Sequence, residues 1–286
     1  MLQVGDIGIH LINDCTVMME AGGAFGLVPR ALWRNLMPPD DDNRVPMTAH
    51  CLLVQVEGRN IVVDTGHGRK LTDKQKKFMD WREHAGGLIG GLARLGLSPA
   101  DIHLVIDTHL HADHAGGNTA YDDEGRIAPV FPNAEYVVQR REYEDAMRPN
   151  ERTAATYLPM NYQPLAESGQ MRLLDGDVQL ALGVWGVVTR GHTPAHMSVR
   201  FESAGQHAAF VCDLACYAIH FERLGWMTAY DVEPLETLET KRRWQQWALE
   251  TNALLIFPHD PVRPVGRFVR GDDGKGHVQP VNEPYV

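Results

Sequence analysis

The chain has 286 residues, 44% hydrophobic and 22% charged, which suits one large domain with a full apolar core. Lysine and arginine number 27 against 37 aspartate and glutamate, a formal charge of −10 that repels phosphate backbones and argues against a nucleic-acid partner. No run of about eighteen apolar residues offers a membrane span, and the opening Met1-Leu2-Gln3-Val4-Gly5-Asp6 lacks the basic-then-apolar order of a secretory signal.

Residues 1–40 alternate apolar and polar positions and carry Gly22, Gly23 and Gly26, which predicts strands and then an irregular loop. Pro38, Pro39 and Asp40-Asp41-Asp42 form a turn-rich surface segment. Residues 51–56 and 60–63 are β-rich runs joined by Glu57-Gly58-Arg59, a hairpin signal that ends in Asp64-Thr65-Gly66. From Lys70 to about Leu95 the spacing predicts helix, broken at Gly86-Gly87 and Gly90-Gly91. Its basic residues, Arg69-Lys70 and the stretch 74–77, read as a solvated face, with His67 and His84 exposed beside it. Ser98-Pro99-Ala100-Asp101 is a helix start that lasts one turn, because residues 103–107 already read as a buried strand.

Farther on, residues 129–138 predict a strand, 140–147 a helix and 184–189 a strand. Residues 197–201 and 208–211 form a second hairpin ending in Cys212-Asp213, which mirrors the first and suggests an internal duplication. Residues 235–254 predict an amphipathic helix packed down by Trp244 and Trp247, and 255–257 a short strand that delivers His259. Everything after Asp272 is polar and glycine-rich and reads as a surface tail. Cys15, Cys51, Cys212 and Cys216 lack zinc-finger spacing and read as reduced thiols filling the core of a cytoplasmic protein.

The densest chemistry lies in Thr108-His109-Leu110-His111-Ala112-Asp113-His114. Imidazole and carboxylate donors suit zinc, iron or manganese. A strand-to-loop transition can aim His109 and His111 at one ion, and the tighter loop that follows can turn Asp113 and His114 toward another. Gly191-His192-Thr193-Pro194-Ala195-His196, Asp213 and His259 each follow a predicted strand, where an α/β architecture gathers its functional loops.

This series, His109-x-His111-x-Asp113-His114, then Gly191-His192-Thr193-Pro194, then Asp213, then His259, resembles the metallo-β-lactamase superfamily over nearly the whole chain. Within it the chain is most similar to the branch of N-acyl homoserine lactonases and methyl-parathion-hydrolase-like enzymes. Asp64-Thr65-Gly66, Tyr230-Asp231-Val232 and His259-Asp260-Pro261 add to that likeness. The resemblance implies an α/β four-layer αβ/βα sandwich forming a single domain over residues 1–286. It implies that His109, His111 and His192 hold one divalent ion, that Asp113, His114 and His259 hold a second, and that Asp213 bridges both around a shared hydroxide. Zinc is the expected metal, with iron, manganese and cobalt compatible with the same donors.

Further roles follow from the likeness. Asp64 backs a ligand histidine, and His196 is structural. Asp113 shuttles a proton to the leaving group. In the lactonase branch a tyrosine three residues after the bridging aspartate assists the substrate carbonyl; here that place is Cys216 and Tyr217 is fourth, so the role falls to either. Met19, Phe25, His220, Phe221 and Trp226 read as core packing near a pocket shaped by residues 18–37, 69–96, 145–165 and 216–231.

The expected activity is hydrolysis of an ester-like bond in a small-molecule substrate, a lactone or a carboxylic ester. A phosphotriesterase-like hydrolase is the alternative, and an iron-dependent redox enzyme of the persulfide dioxygenase type stands behind it, disfavoured by the complete second set of ligands. A homodimer is the default oligomeric expectation.

Overall fold

A computed structural model describes residues 1–281. Two sheets dominate it. The first runs β1 (Leu2–Val4), β2 (Ile7–Glu20), β3 (Arg44–Val56), β4 (Arg59–Val63), β6 (Leu104–Ile106), β9 (Glu135–Gln139) and β10 (Met171–Leu174), with β5 (Arg82–Glu83) paired to β2. A separate small hairpin joins β7 (Thr119–Tyr121) to β8 (Ile127–Pro129). The second sheet runs β11 (Val178–Ala181), β12 (Val184–Val188), β13 (Met197–Ser203), β14 (Gln206–Phe210), β15 (Leu254–Ile256), β16 (Val265–Arg270) and β17 (Gly276–Pro280). The helices are α1 (Ala21–Phe25), α2 (Arg30–Trp33), α3 (Asp73–Phe78), α4 (Gly87–Arg94), α5 (Ala112–Ala115), α6 (Arg140–Met147), α7 (Gln163–Glu167), α8 (Ala218–Glu222) and α9 (Pro234–Thr251).

Alternation along the strands sorts side chains into layers. Leu52, Val54, Ile61, Val63, Leu104 and Ile106 join Ala208, Phe210, Leu254 and Ile256 in one core between the sheets. Their neighbours Cys51, Leu53, Val62 and Val105 face the other way, against Leu88 and Leu92 of α4 and Leu165 of α7. On the second sheet Ala209 and Leu255 face Trp244 and Ala248 of α9. Strands buried on both faces need a continuous apolar run, which is why these segments read as unbroken hydrophobic stretches. The result is helices, sheet, sheet, helices: the expected four-layer αβ/βα sandwich. Among the described residues no helix is long and apolar enough to cross a membrane.

Several local expectations change. The helix predicted from Lys70 to about Leu95 is two helices, because Asp80, Ala85, Gly86 and Gly87 take positive φ that a right-handed helix cannot propagate, and Arg82–Glu83 instead pair with β2. The strand predicted over 129–138 is two strands of different sheets, separated by a turn in which Ala134 N–H donates to Phe131 O at 3.2 Å. The last long helix stops at Thr251, where Asn252 adopts a left-handed cap (φ 51°), and Leu254 belongs to the following strand. Residues 21–37, predicted as loop, contain α1 and α2. The supposed tail after Asp272 contains β17, which pairs antiparallel with β16 and buries Val278; residues 282–286 of that tail lie outside the described residues.

Candidate functional site

The site is built where strands end. β4 runs parallel to β6, and β14 runs parallel to β15. His109 stands three residues beyond Ile106, the last residue of β6, and His259 three beyond Ile256, the last of β15. The two hairpins predicted to mirror one another therefore each lie beside a parallel strand that hands a histidine to the site. His111 precedes α5, which carries Asp113 and His114; His192 follows β12; Asp213 sits in the single 3-10 turn after β14. The sheets are stitched together here: Met197 N–H donates to Thr108 O at 3.0 Å, and Thr48 N–H of β3 to His259 O at 3.2 Å.

All seven side chains singled out as metal ligands converge. His109, His111 and His192 bring donor atoms within 4.8 Å of one another, as do Asp113, His114 and His259, and likewise His109, His114 and Asp213. The two oxygens of Asp213 divide between the first two groups. Oδ2 lies 3.2 Å from His192 Nε2, while Oδ1 lies 3.0 Å from His259 Nε2 and 3.5 Å from His114 Nε2. Asp113 is 21% exposed and its Oδ2 stands 3.6 Å from both His114 Nε2 and His259 Nε2; the other six side chains are buried.

The facing atoms are mostly acceptors. His259 Nδ1 sits 2.6 Å from the Thr48 carbonyl, which can only accept, so Nδ1 carries the hydrogen and Nε2 a lone pair. His114 Nδ1 likewise donates to Asp64 Oδ2 at 2.8 Å. The two Nε2 atoms nevertheless lie 3.2 Å apart. In the other group His192 Nδ1 is held by Asp231 Oδ1 at 3.0 Å, and His192 Nε2 stands 3.1 Å from His111 Nδ1. His109 Nε2 is buried with no hydrogen-bond partner among the described residues. Ring nitrogens that face one another this closely in a buried site need a cation between them, a proton or a metal ion. Nitrogen ligands of tetrahedral zinc, at their usual bond length, stand roughly 3.3 Å apart, so these spacings suit the corners of a coordination sphere.

Burial and the neighbouring charges divide the cluster's histidines. Burial, then the neighbouring His114, His111 and His192, push the His109 pKa well below its usual value. Burial and His192 bring His111 to about 3. Burial alone would raise Asp113, but His114, His259 and His67 outweigh it and hold its carboxyl at about 2. His114 and His192 shift the other way: burial would lower both, but Cys212, Asp113 and Asp213 around His114, and Asp213 and Asp231 beside His192, outweigh it, so a divalent cation would displace protons from these two as it binds.

Behind the ligands is a second set of polar groups. Asp64, at φ 53°, accepts from Thr108 N–H at 2.8 Å through Oδ1. Its Oδ2 accepts from Thr108 Oγ1 and His114 Nδ1, both at 2.8 Å. Thr108 Oγ1 in turn lies 3.1 Å from His109 Nδ1, so one carboxylate orients a histidine of each group. His196 Nε2 accepts from the Asp213 N–H at 3.1 Å, the structural role expected of it.

Sequence reasoning missed three members of this layer. Asp231 holds His192. Glu142, fully buried on α6, accepts from Leu110 N–H at 3.0 Å, Tyr157 Oη at 2.9 Å and Thr193 Oγ1 at 2.6 Å, tying together the loops that carry His111 and His192. Cys212, taken as core filler, places its thiol 3.0 Å from Thr108 Oγ1 and 3.4 Å from Asp64 Oδ2. Tyr230-Asp231-Val232 had been noticed as a likeness without a role; nothing local marks Glu142 or Cys212.

A cavity of about 200 Å³ opens over the cluster. Met19, Met47, Met79, Ala155, Cys216, Tyr217 and Tyr230 form much of its wall, so each predicted pocket segment contributes an apolar group, and β3 adds Met47. Tyr217 is buried, stacks on Phe25 with ring centres 6.1 Å apart, and turns its hydroxyl to Pro46 O at 3.3 Å. Phe25, His220, Phe221 and Trp226 are buried, as expected of core residues.

Two expectations about the flanking segment fail. His67 is only 7% exposed and lines the cavity, because its loop folds inward against α5; His84 is exposed as predicted. Lys70 is not on a solvated face: its ammonium donates to the carbonyls of Gly116 and Thr119, and burial lowers its pKa to about 8.

With this geometry in place, comparison with known proteins is informative. The family profile of the Metallo-beta-lactamase superfamily matches residues 44–277. An N-acyl homoserine lactonase of Bacillus sp is 28% identical over 221 residues, 73% of this chain and 80% of that one. The solved structure of a probable metal-dependent hydrolase from Staphylococcus aureus matches with a TM-score of 0.89 and 29% identity over 100% of both chains. The dizinc quorum-quenching lactonase AidC, solved with a product, matches at TM-score 0.81 and 20% identity over 99% of this chain and 97% of that one, a likeness of fold alone.

Proposed function

The chain belongs to the metallo-beta-lactamase superfamily, and from that premise we propose that it is a hydrolase that holds two divalent metal ions and cleaves a lactone or carboxylic ester. The observation that carries the reading is the approach of His114 Nε2 to His259 Nε2 at 3.2 Å while both Nδ1 atoms are committed as donors elsewhere. His109, His111 and His192 would hold one ion, Asp113, His114 and His259 the other, and Asp213, set between the two groups, would serve both. Zinc suits these donors best. Bound there, the pair supplies activated water at neutral pH and polarises the bond under attack.

The chain's own residues do the rest. Asp113, the one exposed member of the cluster, is placed to pass a proton to the leaving group. Tyr217 walls the site; its hydroxyl hydrogen is committed to Pro46 O, so it contributes shape. The methionine wall suits an apolar acyl or aryl group, since unbranched thioethers adapt to irregular shapes. Four free, buried cysteines support a reducing, cytoplasmic setting.

The test is hydrolysis by metal-loaded protein of acyl homoserine lactones, aryl esters and paraoxon-type triesters. Turnover of lactones or esters is expected. Silence on every class removes the hydrolase reading, and activity on the triesters alone moves it to phosphoryl transfer.

A second expectation concerns Asp64. Asp64→Asn keeps an acceptor for Thr108 N–H but loses the charge that fixes His114 directly and His109 through Thr108. Metal affinity should fall about 10- to 100-fold, read by competition with a chromophoric chelator. Unchanged affinity would show that Asp64 only terminates its strand.

A further inference from the structure

His67 stands in the cavity wall without a task in the scheme above. We propose that it is a further catalytic residue, one that donates a hydrogen bond from its imidazole to the leaving-group oxygen of the substrate. This rests on the hydrolase reading and adds a residue to it.

Three observations carry the assignment. First, the side chain lines the same cavity as Asp113 and His259 of the second ligand group. Asp113 is the residue that passes the proton to the leaving group, so His67 borders the same end of the scissile bond. Second, Nε2 is buried and has no hydrogen-bond partner among the described residues. A leucine would fill this wall at no desolvation cost, so an imidazole that leaves a ring nitrogen unpaired calls for a partner from outside the chain. Burial also lowers its pKa to about 4, so near neutral pH the ring carries a single N–H and can donate without bringing a second charge into the site.

Third, the loop that carries His67 is fixed in place. Thr65 N–H donates to His114 O at 2.6 Å, and Gly117 N–H to Gly66 O at 3.2 Å, so the loop is laced to the helix bearing Asp113. From the other side comes Asp14, at the register shift between Asn13 and Cys15 in β2; its carboxylate accepts from Gly68 N–H at 3.3 Å and Leu88 N–H at 3.0 Å. Gly66 has φ +70°, and a Cβ there would lie 2.4 Å from Asp14 Oδ2, so only glycine lets the loop make this approach. A donor held this firmly before substrate arrives is what stabilises charge developing in a transition state.

In the reaction, the water oxygen bonds to the carbonyl carbon. The bond from that carbon to the leaving oxygen breaks, and its electron pair goes to that oxygen. One water proton crosses on Asp113 to the same oxygen, while the His67 N–H stabilises the negative charge that precedes its arrival. The products are the carboxylic acid and the free alcohol.

The test uses metal-loaded full-length protein and esters that share one acyl group but carry alcohols from nitrophenol to simple alkyl. His67→Leu is expected to lower kcat/KM about 10- to 100-fold on alkyl esters and less than about threefold on the nitrophenyl ester, whose leaving group needs little help. His67→Gln, which keeps a donor, should recover most of the loss, and metal content should match the parent protein. His67→Phe gives a second donor-free variant should His67→Leu fail to fold. A loss equal across all leaving groups, or His67→Gln as impaired as His67→Leu, overturns the assignment. A parent protein inactive on the whole series overturns the hydrolase reading and this with it, a result distinct from a flat leaving-group profile.

Discussion

Asp213→Ala is expected to leave the protein unable to hold a pair of ions and to lower turnover by about a thousandfold or more, roughly 4 kcal/mol of transition-state stabilisation. Asp213 is the one residue whose two oxygens face different ligand groups, Oδ2 toward His192 and Oδ1 toward His259 and His114. Burial works against it too: desolvation would raise its pKa, and His259, His114 and His192 reverse that and hold it well below the carboxylate range. Truncation removes one donor from each ion and the negative charge that lets two cations sit side by side. Metal content by mass spectrometry and turnover on the best substrate should fall together. Full activity with one metal per chain would sink the dinuclear account.

Chelation should be nearly as severe. Without cations the cluster buries facing ring nitrogens at 3.1 Å and 3.2 Å, an arrangement the fold maintains through Asp64, Asp231 and the Thr48 carbonyl. A ligand that binds only the folded chain stabilises it by about 4 kcal/mol at a thousand times its Kd. For a chain of this size that corresponds to a Tm shift on the order of 10 °C. Dialysis against a strong chelator should therefore abolish turnover and lower Tm, and zinc, manganese or cobalt should restore both. Activity that survives complete metal removal contradicts the mechanism; activity lost with Tm unmoved places the ions outside this cluster.

The cluster of candidate ligands was legible because its densest part is local. Four donors crowd into 109–114, and His192, Asp213 and His259 each trail a short apolar run that reads as a strand from composition alone. Asp64, expected behind a ligand histidine from the family likeness, meets His114 across 50 residues. The other supports were not legible, because their contacts close over equally long separations: Glu142 meets Thr193 across 51 residues and Cys212 meets Asp64 across 148. His67 was misplaced for a related reason. Lysine-rich sequence follows it, which suggests solvent, yet Asp14 and α5 draw the loop inward from elements distant in the chain. The strands were found where both faces are apolar; β17 was overlooked because mainly Val278 is buried in it.

Part of the cavity wall comes from stretches of chain that carry none of the seven candidate ligands. Met19, Met79 and Tyr230 belong to β2 and to connections outside the ligand loops, while the ligands hang on strand ends anchored in the shared core. Selection in the laboratory for a new substrate can therefore exchange these walls one at a time while the chemistry beneath them is inherited intact. Improved variants should collect changes at 19, 79 and 230 long before any appear among the seven ligands.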